Sequence, residues 1–418
     1  MIALECFSEI SICRLCGHDG FEEVIDLGVQ ALTGRFPKTG EPEPPMAPLK
    51  VIRCMECGLV QLKHSVQADE MYTSNYGFRS STNQTMCDHL EGIVHSISKI
   101  VALSSGDVIL DIGCNDGTLL SCYPVIGLVR IGIDPLAEKF RQGYADGIMA
   151  KAGFFDSGLF LSASSGCKAK AVTSIAMFYD LEDPNGFVAD IAAILEDDGI
   201  WVLEQSYLPL MLETNAFDTI CHEHLEYYAL EQIKHLMEGN GLRIFDVELN
   251  TCNGGSFRLF VCHETASYRS NEDNLDQLSR REMKLSLHTA DPYQAFHERV
   301  LVIRDKLREL VVGETKKGKT IYVYGASTKG NVILQFCDLD HRYIKAAADR
   351  NPGKWGSRTP GTGIPIISEE EAREASPDYF LALPWHFRES FLRREKDFLQ
   401  DGGHFIFPLP DLEIYPRD

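Results

Sequence analysis

The 418-residue chain carries 61 acidic against 40 basic residues, a formal net charge of −21, and is 44% hydrophobic. That length asks for two or three cores, and an acidic balance with no long basic run argues against nucleic acid or an anionic membrane as the main partner. No apolar stretch approaches a membrane span and no charged region followed by an apolar core opens the sequence, so the expectation is a soluble cytoplasmic protein whose 13 cysteines are reduced thiols or metal ligands.

The first clustered cysteines are Cys13-Arg14-Leu15-Cys16 and Cys54-Met55-Glu56-Cys57-Gly58. Two Cys-x-x-Cys knuckles let four thiolates converge tetrahedrally, and a zinc ion enclosed by them has no open position for catalysis, so it is expected to be structural. The spacer holds Pro37, Pro42, Pro44, Pro45 and Pro48, which reads as a loop-rich module too small to fold without its ion. His18 and His64 lie nearby, either solvated or as substitute ligands.

A polar and aromatic run follows, from Met71 to Ser80, and then a helix-like stretch to about Val101. Such a run is ordinarily a connector. Within it Tyr76 has a phenol able to donate to an oxyanion, and Arg79 a guanidinium able to pair with a phosphate.

The central region alternates strands and helices, with strands expected at 107–113, 129–134, 147–151, 170–178 and 199–205, and later near 242–248 and 256–263. Alternation of this kind means a parallel sheet wound on both faces. The first strand ends Asp111-Ile112-Gly113-Cys114-Asn115-Asp116-Gly117 and the second ends in Asp134. Backbone amides at the glycine turn can face a ligand while Asp134 accepts from a ribose diol. Asn115 stands where a dinucleotide fold wants a second glycine, and Asp111 suits a cationic amino-acid tail, so the cofactor implied is S-adenosylmethionine rather than NAD. After the third strand, Phe154 could face an adenine, with Asp156 accepting its amino group, or Phe154 and Phe155 could be a core pair. Ile175 to Asp180 closes the fourth strand at the carboxyl edge, where such sheets bind ligands.

Beyond the fifth strand lies Phe217-Asp218-Thr219-Ile220-Cys221-His222-Glu223-His224-Leu225-Glu226-Tyr227-Tyr228. The histidines are not spaced as in a zinc protease, so the segment reads as acid–base residues. In an extended loop Cys221, Glu223 and Leu225 alternate against His222 and His224, sending one histidine into the cleft while Glu223 orients a neighbour.

A third unit begins after an amphipathic helix bearing Phe296, Val300, Ile303, Leu307, Leu310 and Val311, and Lys316 to Lys319 looks like a hinge. The strand Thr320–Gly325 precedes a turn in which Ser327 and Lys329, at a helix N-terminus, make an anion seat. Arg350 ends the next strand, and with Lys354 and Arg358 ahead of the turn Thr359–Gly363 these bases could gather around a diphosphate, or stand as a solvated loop.

Taken together these motifs resemble the S-adenosylmethionine-dependent C-methyltransferases of nucleotide-linked deoxysugars, found in antibiotic and surface-polysaccharide pathways. The resemblance spans nearly the whole chain and rests on the four cysteines, Asn75 to Ser80, Asp111 to Gly117, Thr219 to Tyr228, Asn253 to Arg258, and Tyr324 to Gly330 with Thr359 to Gly363. It implies an α/β protein in three parts: a zinc-binding module at 1–68, a class I methyltransferase doubly wound sheet with helical lead-in at 69–265, and a helical connector with a Rossmann-like nucleotide-sugar domain at 266–418. It also implies His224 as base, Glu223 beside it and Tyr76 near the sugar carbonyl. Cys221 departs from the family pattern, which has a tyrosine there.

The reaction expected is methylation of the carbon next to the ketone, C3, of a dTDP- or GDP-linked 4-keto-6-deoxy sugar through an enolate. Two alternatives are a sugar O-methyltransferase, which deprotonates only a hydroxyl, and a non-catalytic nucleotide-sugar binder with no affinity for S-adenosylmethionine.

Overall fold

Hydrophobic alternation at the N-terminus folds into strands. The computed structural model describes residues 6–71 and 79–416, so Tyr76 and the rest of Asn75 to Phe78 lie outside the described residues. The first strands are β1 (Phe7–Glu9), β2 (Phe21–Ala31), β3 (Met46–Cys54), β4 (Val60–Leu62) and β5 (His64–Val66). The loop-rich reading of this module is therefore corrected: four of its five prolines sit between β2 and β3, and Pro48, inside β3, pairs with Val29 at a shift in register, the kind of position that tolerates a missing N–H.

The two cysteine knuckles fold alike. Gly17 N donates to Cys13 O and Gly58 N to Cys54 O, and both glycines take positive φ, 72° and 74°, a conformation a side chain would strain. Each turn thus curls its two thiols toward one centre.

The central sheet is built from β6 (Val108–Ile112), β7 (Val129–Asp134), β8 (Ile148–Ala152), β9 (Ala169–Ile175), β10 (Leu195–Ser206), β12 (Leu242–Asn250) and β13 (Ser256–His263). Its order is β12-β13-β10-β9-β6-β7-β8, with β13 antiparallel to both neighbours and β6 to β10 parallel. This is the class I methyltransferase fold. The apolar run Val108–Leu110 of β6 follows from burial on both faces of the sheet.

A short strand of the acid–base segment, β11 (Glu226–Tyr227), leaves this domain altogether. It pairs antiparallel with β4 and completes a four-stranded sheet of order β11-β4-β3-β2.

The third sheet comprises β14 (Ile321–Tyr324), β15 (Ala347–Asp349), β16 (Ile366–Ser368), β17 (Tyr379–Ala382), β18 (His404–Phe407) and β19 (Glu413–Tyr415), in the order β16-β15-β14-β17-β18-β19, parallel except at β19. The amphipathic stretch ahead of it is the helix Asp291–Lys316. Its buried Phe296, Val300, Ile303, Leu307 and Val311 recur at helical spacing, each contributing on the order of 1.5–3 kcal/mol of burial. The lysines at its end form no bare linker: Lys319 pairs with Asp378 at 2.8 Å and Gly318 turns directly into β14.

One core joins Val24, Ile25, Leu27 and Leu49 of the N-terminal module to Phe296, Ile333 and Ile364 of the third unit. Another joins Cys13, Leu15 and Leu59 to Tyr228, Ile233 and Phe257 of the central one. The metal module is therefore the shared wall of both larger parts.

Because the thiol turns are anchored in both cores, Cys54→Ser is expected to yield protein with less than one zinc per chain. Loss of a few kcal/mol would lower Tm by roughly 5–10 °C. Elemental analysis with a thermal melt checks this; a variant retaining one tightly held zinc and the parent melting point would overturn it.

Candidate functional site

Four sulfur atoms, from Cys13, Cys16, Cys54 and Cys57, lie within 4.8 Å of one another. Cys13 Sγ is 3.6 Å from Cys57 Sγ, and Cys16 Sγ is 3.5 Å from Cys54 Sγ. Tetrahedral zinc with bonds of about 2.3 Å spaces its sulfurs about 3.8 Å apart, so the donors fit a closed structural zinc site. Gln61 Nε2 donates to Cys13 Sγ at 3.1 Å, supporting a thiolate from outside the metal shell. Neither His18, which is exposed, nor His64, which packs edge-on against Phe7 at 5.5 Å, joins this group.

At the carboxyl edge of the central sheet the glycine turn opens onto a cavity of about 1130 Å³. Asp111 is buried at the end of β6, where Thr173 Oγ1 donates to its Oδ1 at 2.6 Å. Burial, only partly opposed by that bond, together with the charge of Asp134, pushes Asp111 up to about 7. Asp134 closes β7; its Oδ2 accepts from Asn115 N at 2.8 Å and its Oδ1 from Leu136 N at 2.7 Å. Burial raises its pKa too. Two buried acids raised in this way favour a cationic ligand. Gly113 lies between them with φ 71°, where a Cβ would stand 3.2 Å from Met177 Cγ, so the close approach of a ligand to the turn depends on glycine. Asn115 likewise takes positive φ, 49°, and Gly117 precedes the helix at φ 77°. This donor set and cradle fit the sulfonium and amino-acid tail of S-adenosylmethionine.

Phe154 is half exposed and lines the cavity; Phe155 lines it too, while also packing edge-on against Phe187 at 5.1 Å. Asp156 does not line the cavity; its Oδ1 caps the next helix by accepting from Leu159 N at 2.8 Å. Arg79 lines the cavity, but its Nε pairs with Asp116 Oδ2 at 3.1 Å beside the glycine turn.

The acid–base segment is a turn and not the extended loop that alternation suggested: His224 N donates to Cys221 O. Turning there brings Cys221, Glu223 and His224 all to the cavity and sends only His222 away. His222 is buried with Nε2 donating to Ala47 O of β3 at 3.0 Å, which ties the segment to the metal module. His224 Nδ1 donates to Thr219 O at 2.8 Å, leaving Nε2 as the nitrogen with a free lone pair. Burial, with the charge of Lys329 added, drives His224 down to about 3, so the imidazole is neutral near pH 7. The Tyr179 ring packs against it at a tilt of 52°, with centroids 4.2 Å apart. Glu223 accepts from Thr33 Oγ1 at 3.5 Å, and burial raises its pKa. Any side chain at Gly34 would collide with Glu223 Oε1, so the metal module approaches this carboxylate closely.

The C-terminal sheet supplies the opposite wall. Ser327 caps the helix Thr328–Phe336 by accepting from Gly330 N at 3.0 Å and lines the cavity with Lys329, Arg350, Lys354 and Arg394. The expected gathering of bases is only partial. Arg358 turns to the metal module, pairing with Glu43 at 2.9 Å, and Gly361 of the following turn donates to the same carboxylate at 3.1 Å.

Sequence reading missed a charged set at the cavity wall, where Glu204 and Cys252 line it. Glu204, buried near the end of β10, receives His89 Nε2 at 2.5 Å, Arg258 at 2.9 Å and Asn250 Nδ2 at 2.9 Å. Burial works against charge on His89, but hydrogen bonds to Cys252 and Glu204 outweigh it and carry the pKa up to about 10. The available signal was an acid closing the apolar run Ile200–Leu203. Asp218, a cavity-lining residue that accepts from Trp385 Nε1 at 3.0 Å, left no comparable signal, because its partner is 167 residues away.

Three family models match the chain: a zinc binding domain over residues 13–72, a methyltransferase domain over 86–247 and a C-methyltransferase C-terminal domain over 251–410. The C-methyltransferase NovU of Streptomyces niveus is 31% identical over 411 residues, covering 97% of this chain and 97% of that protein. Solved methyltransferases overlap in part. Magnesium protoporphyrin IX methyltransferase from Synechocystis PCC 6803 with bound SAH is 15% identical over 44% of this chain and 84% of its own, with a TM-score of 0.33. The amino pentose methyltransferase CalS10 of Micromonospora echinaspora is 16% identical over 41% and 90%, with a TM-score of 0.32.

Replacing the Asp134 carboxylate removes an acceptor facing the cofactor turn. Asp134→Ala is expected to weaken S-adenosylhomocysteine binding by about 1.5–3 kcal/mol while leaving zinc content unchanged. Calorimetry on both proteins checks this, and equal affinities would move the ribose contact elsewhere.

Proposed function

The chain belongs to the C-methyltransferase family, and on that premise we propose that it methylates the carbon next to the ketone, C3, of a nucleoside-diphosphate 4-keto-6-deoxy sugar. The nucleotide of this substrate is dTDP or GDP. The observation that carries the reading is His224, a buried neutral imidazole with one nitrogen fixed on Thr219 O, on a cavity shared by the cofactor turn and the C-terminal sheet. A cavity of about 1130 Å³ exceeds what one small ligand needs and suits a cofactor and a nucleotide sugar together.

Asp111, Gly113, Asn115, Gly117 and Asp134 would hold S-adenosylmethionine, with Phe154 against its adenine; when bound it supplies an electrophilic methyl group. The remaining work falls to the chain. The ketone acidifies the adjacent C–H, and His224 Nε2 takes that proton while Nδ1 keeps its bond to Thr219 O. The C–H electron pair becomes the enolate, whose oxygen needs a donor; Tyr76 is one candidate. Glu223, next to His224 in the turn and lining the same cavity, would offset the imidazolium in its ionised form, which its contact with Thr33 Oγ1 supports against burial. His222 acts from outside the cavity by anchoring the turn to Ala47. Ser327 and Arg350 face the side of the cavity proposed for the sugar nucleotide, Lys329 reaches from that side to Thr219, and Arg79 stands at the cofactor end. Leu119, Ile133 and Leu225 are the buried apolar part of a cavity wall that is otherwise rich in polar groups.

His224→Asn is expected to retain S-adenosylhomocysteine binding yet lose both methyl transfer and solvent deuterium exchange at the keto-adjacent carbon, by about 100- to 10,000-fold. His222→Asn should lower stability more than it lowers exchange per folded molecule. If His222→Asn alone abolished exchange, the base would be misassigned; if carbon-bound deuterium survived methylation by the parent protein, the reaction would be O-methylation. The acid limb of kcat/KM should also lie well below the ordinary histidine value of about 6.5, because protonation inactivates the base and burial lowers its pKa.

A further inference from the structure

We propose that Lys329 is a catalytic residue that stabilises the oxyanion formed when the keto-adjacent carbon is deprotonated, a role that rests on the reaction proposed above. Its place in the sequence, on the first turn of the helix Thr328–Phe336, suggests an anion seat within the C-terminal sheet. Its side chain goes elsewhere. Nζ crosses to the methyltransferase part, 3.2 Å from Thr219 Oγ1 and donating to Asn253 O at 3.0 Å.

Thr219 is the residue whose carbonyl fixes His224. The ammonium and the imidazole are thus hung on one residue, the cation on its hydroxyl and the base on its carbonyl. An ammonium has three N–H donors, and these two contacts leave one. Among the described residues no carboxylate lies within ion-pair distance of Lys329, although the side chain is half-buried and lines the cavity. Its charge is felt by His224, Cys221 and Asp218 on the facing loop and by His386 on the C-terminal side.

A half-buried cation with a spare donor, fixed beside the base, is what a developing enolate needs. In the step, the C–H bond breaks, its pair forms the C=C of the enolate and moves negative charge onto the former carbonyl oxygen, and the proton passes to His224 Nε2. Lys329 keeps all its protons and donates to that oxygen. Its charge opposes protonation of His224 in the free protein, and the oxyanion forming between them removes that opposition only as the proton moves. The interaction is therefore stronger in the transition state than before it. The helix N-terminus beneath Lys329 adds partial positive charge in the same sense.

The test uses the full-length zinc-loaded protein with Lys329→Met and Lys329→Arg. Deuterium exchange at the keto-adjacent carbon is followed by NMR at saturating nucleoside-diphosphate 4-keto-6-deoxyhexose, alongside methyl transfer, calorimetric binding of S-adenosylhomocysteine and of the nucleoside diphosphate alone, and thermal melts. Lys329→Met is expected to bind both probes within about threefold of the parent while exchange and transfer fall together by about 100- to 1000-fold. Lys329→Arg, which keeps the charge, should recover at least a tenth of the parent exchange rate. Exchange within threefold of the parent in Lys329→Met at saturation overturns the proposal, as does a loss confined to nucleoside-diphosphate affinity, which would make Lys329 a binding residue. If Lys329→Met melts far below the parent, Lys329→Gln takes its place under the same criteria. A parent protein that exchanges no such substrate overturns the reaction itself and this role with it, an outcome distinct from a working parent and an unaffected variant.

Discussion

Two residues of strand, Glu226 and Tyr227, hold the acid–base segment on the metal module, and the rest of the cavity depends on that pairing. A strand so short has little stability of its own. It persists because β4 accepts it edge-on, with Leu62 N donating to Leu225 O, and because β4 begins two residues after the Cys57-Gly58 knuckle. Arg14, between the two cysteines of the other knuckle, lies 3.6 Å from the fully buried Glu226 carboxylate and donates to Leu62 O at 2.8 Å. His222 on Ala47 O and Thr33 on Glu223 fasten the segment from β3 and from the loop after β2. Zinc held by the four thiols would therefore stabilise the strands on which Glu223 and His224 hang, since binding free energy at the metal is folding free energy for the strands around it.

The cavity is electrically divided. At the glycine turn Asp111 and Asp134, both raised by burial, await positive charge. On the opposite wall Lys354 and Arg394 are paired with Asp349 and Glu369, which line the same wall, while Arg350 lines it and Lys329 reaches across to Thr219 and Asn253. A sulfonium cofactor suits the acidic end of the cavity, and the paired charges of the opposite wall leave that preference unopposed. The imidazole of His224 lines the same cavity and is neutral there, because burial and the neighbouring lysine both oppose its charge.

At the cavity wall, His89, Glu204 and Arg258 form a satisfied ion network. His89, Glu204 and Cys252 approach within 4.8 Å, a spacing that can accommodate a metal, yet Arg258, Asn250 and His89 already occupy the Glu204 carboxylate. The network links the helix Gln84–Ile100 to β10 and β12, holding the cavity wall against the sheet.

The strands of the metal module and β11 were not legible in the chain, whereas the order of strands in the central sheet, the glycine turn, the acid ending β7 and the four-cysteine cluster were. Each is a local pattern: apolar runs of strand length, a turn that needs positive φ, a fixed spacing of thiols. The sequence by itself also narrowed the base to two histidines flanking one glutamate. Choosing how they point took the tertiary structure, because a turn at Cys221–His224 replaced the period-two alternation and the pull on His222 comes from Ala47, 175 residues away. The same holds for the bases of the third unit. Lys329 read as part of an anion seat with Ser327 and Arg358 as part of a cluster with Arg350 and Lys354, yet long-range acceptors draw both away, Thr219 and Asn253 taking the lysine and Glu43 the arginine. Local sequence fixes which groups exist and how the backbone turns beneath them; where a long, charged side chain ends is decided by whichever distant partner folding brings within reach.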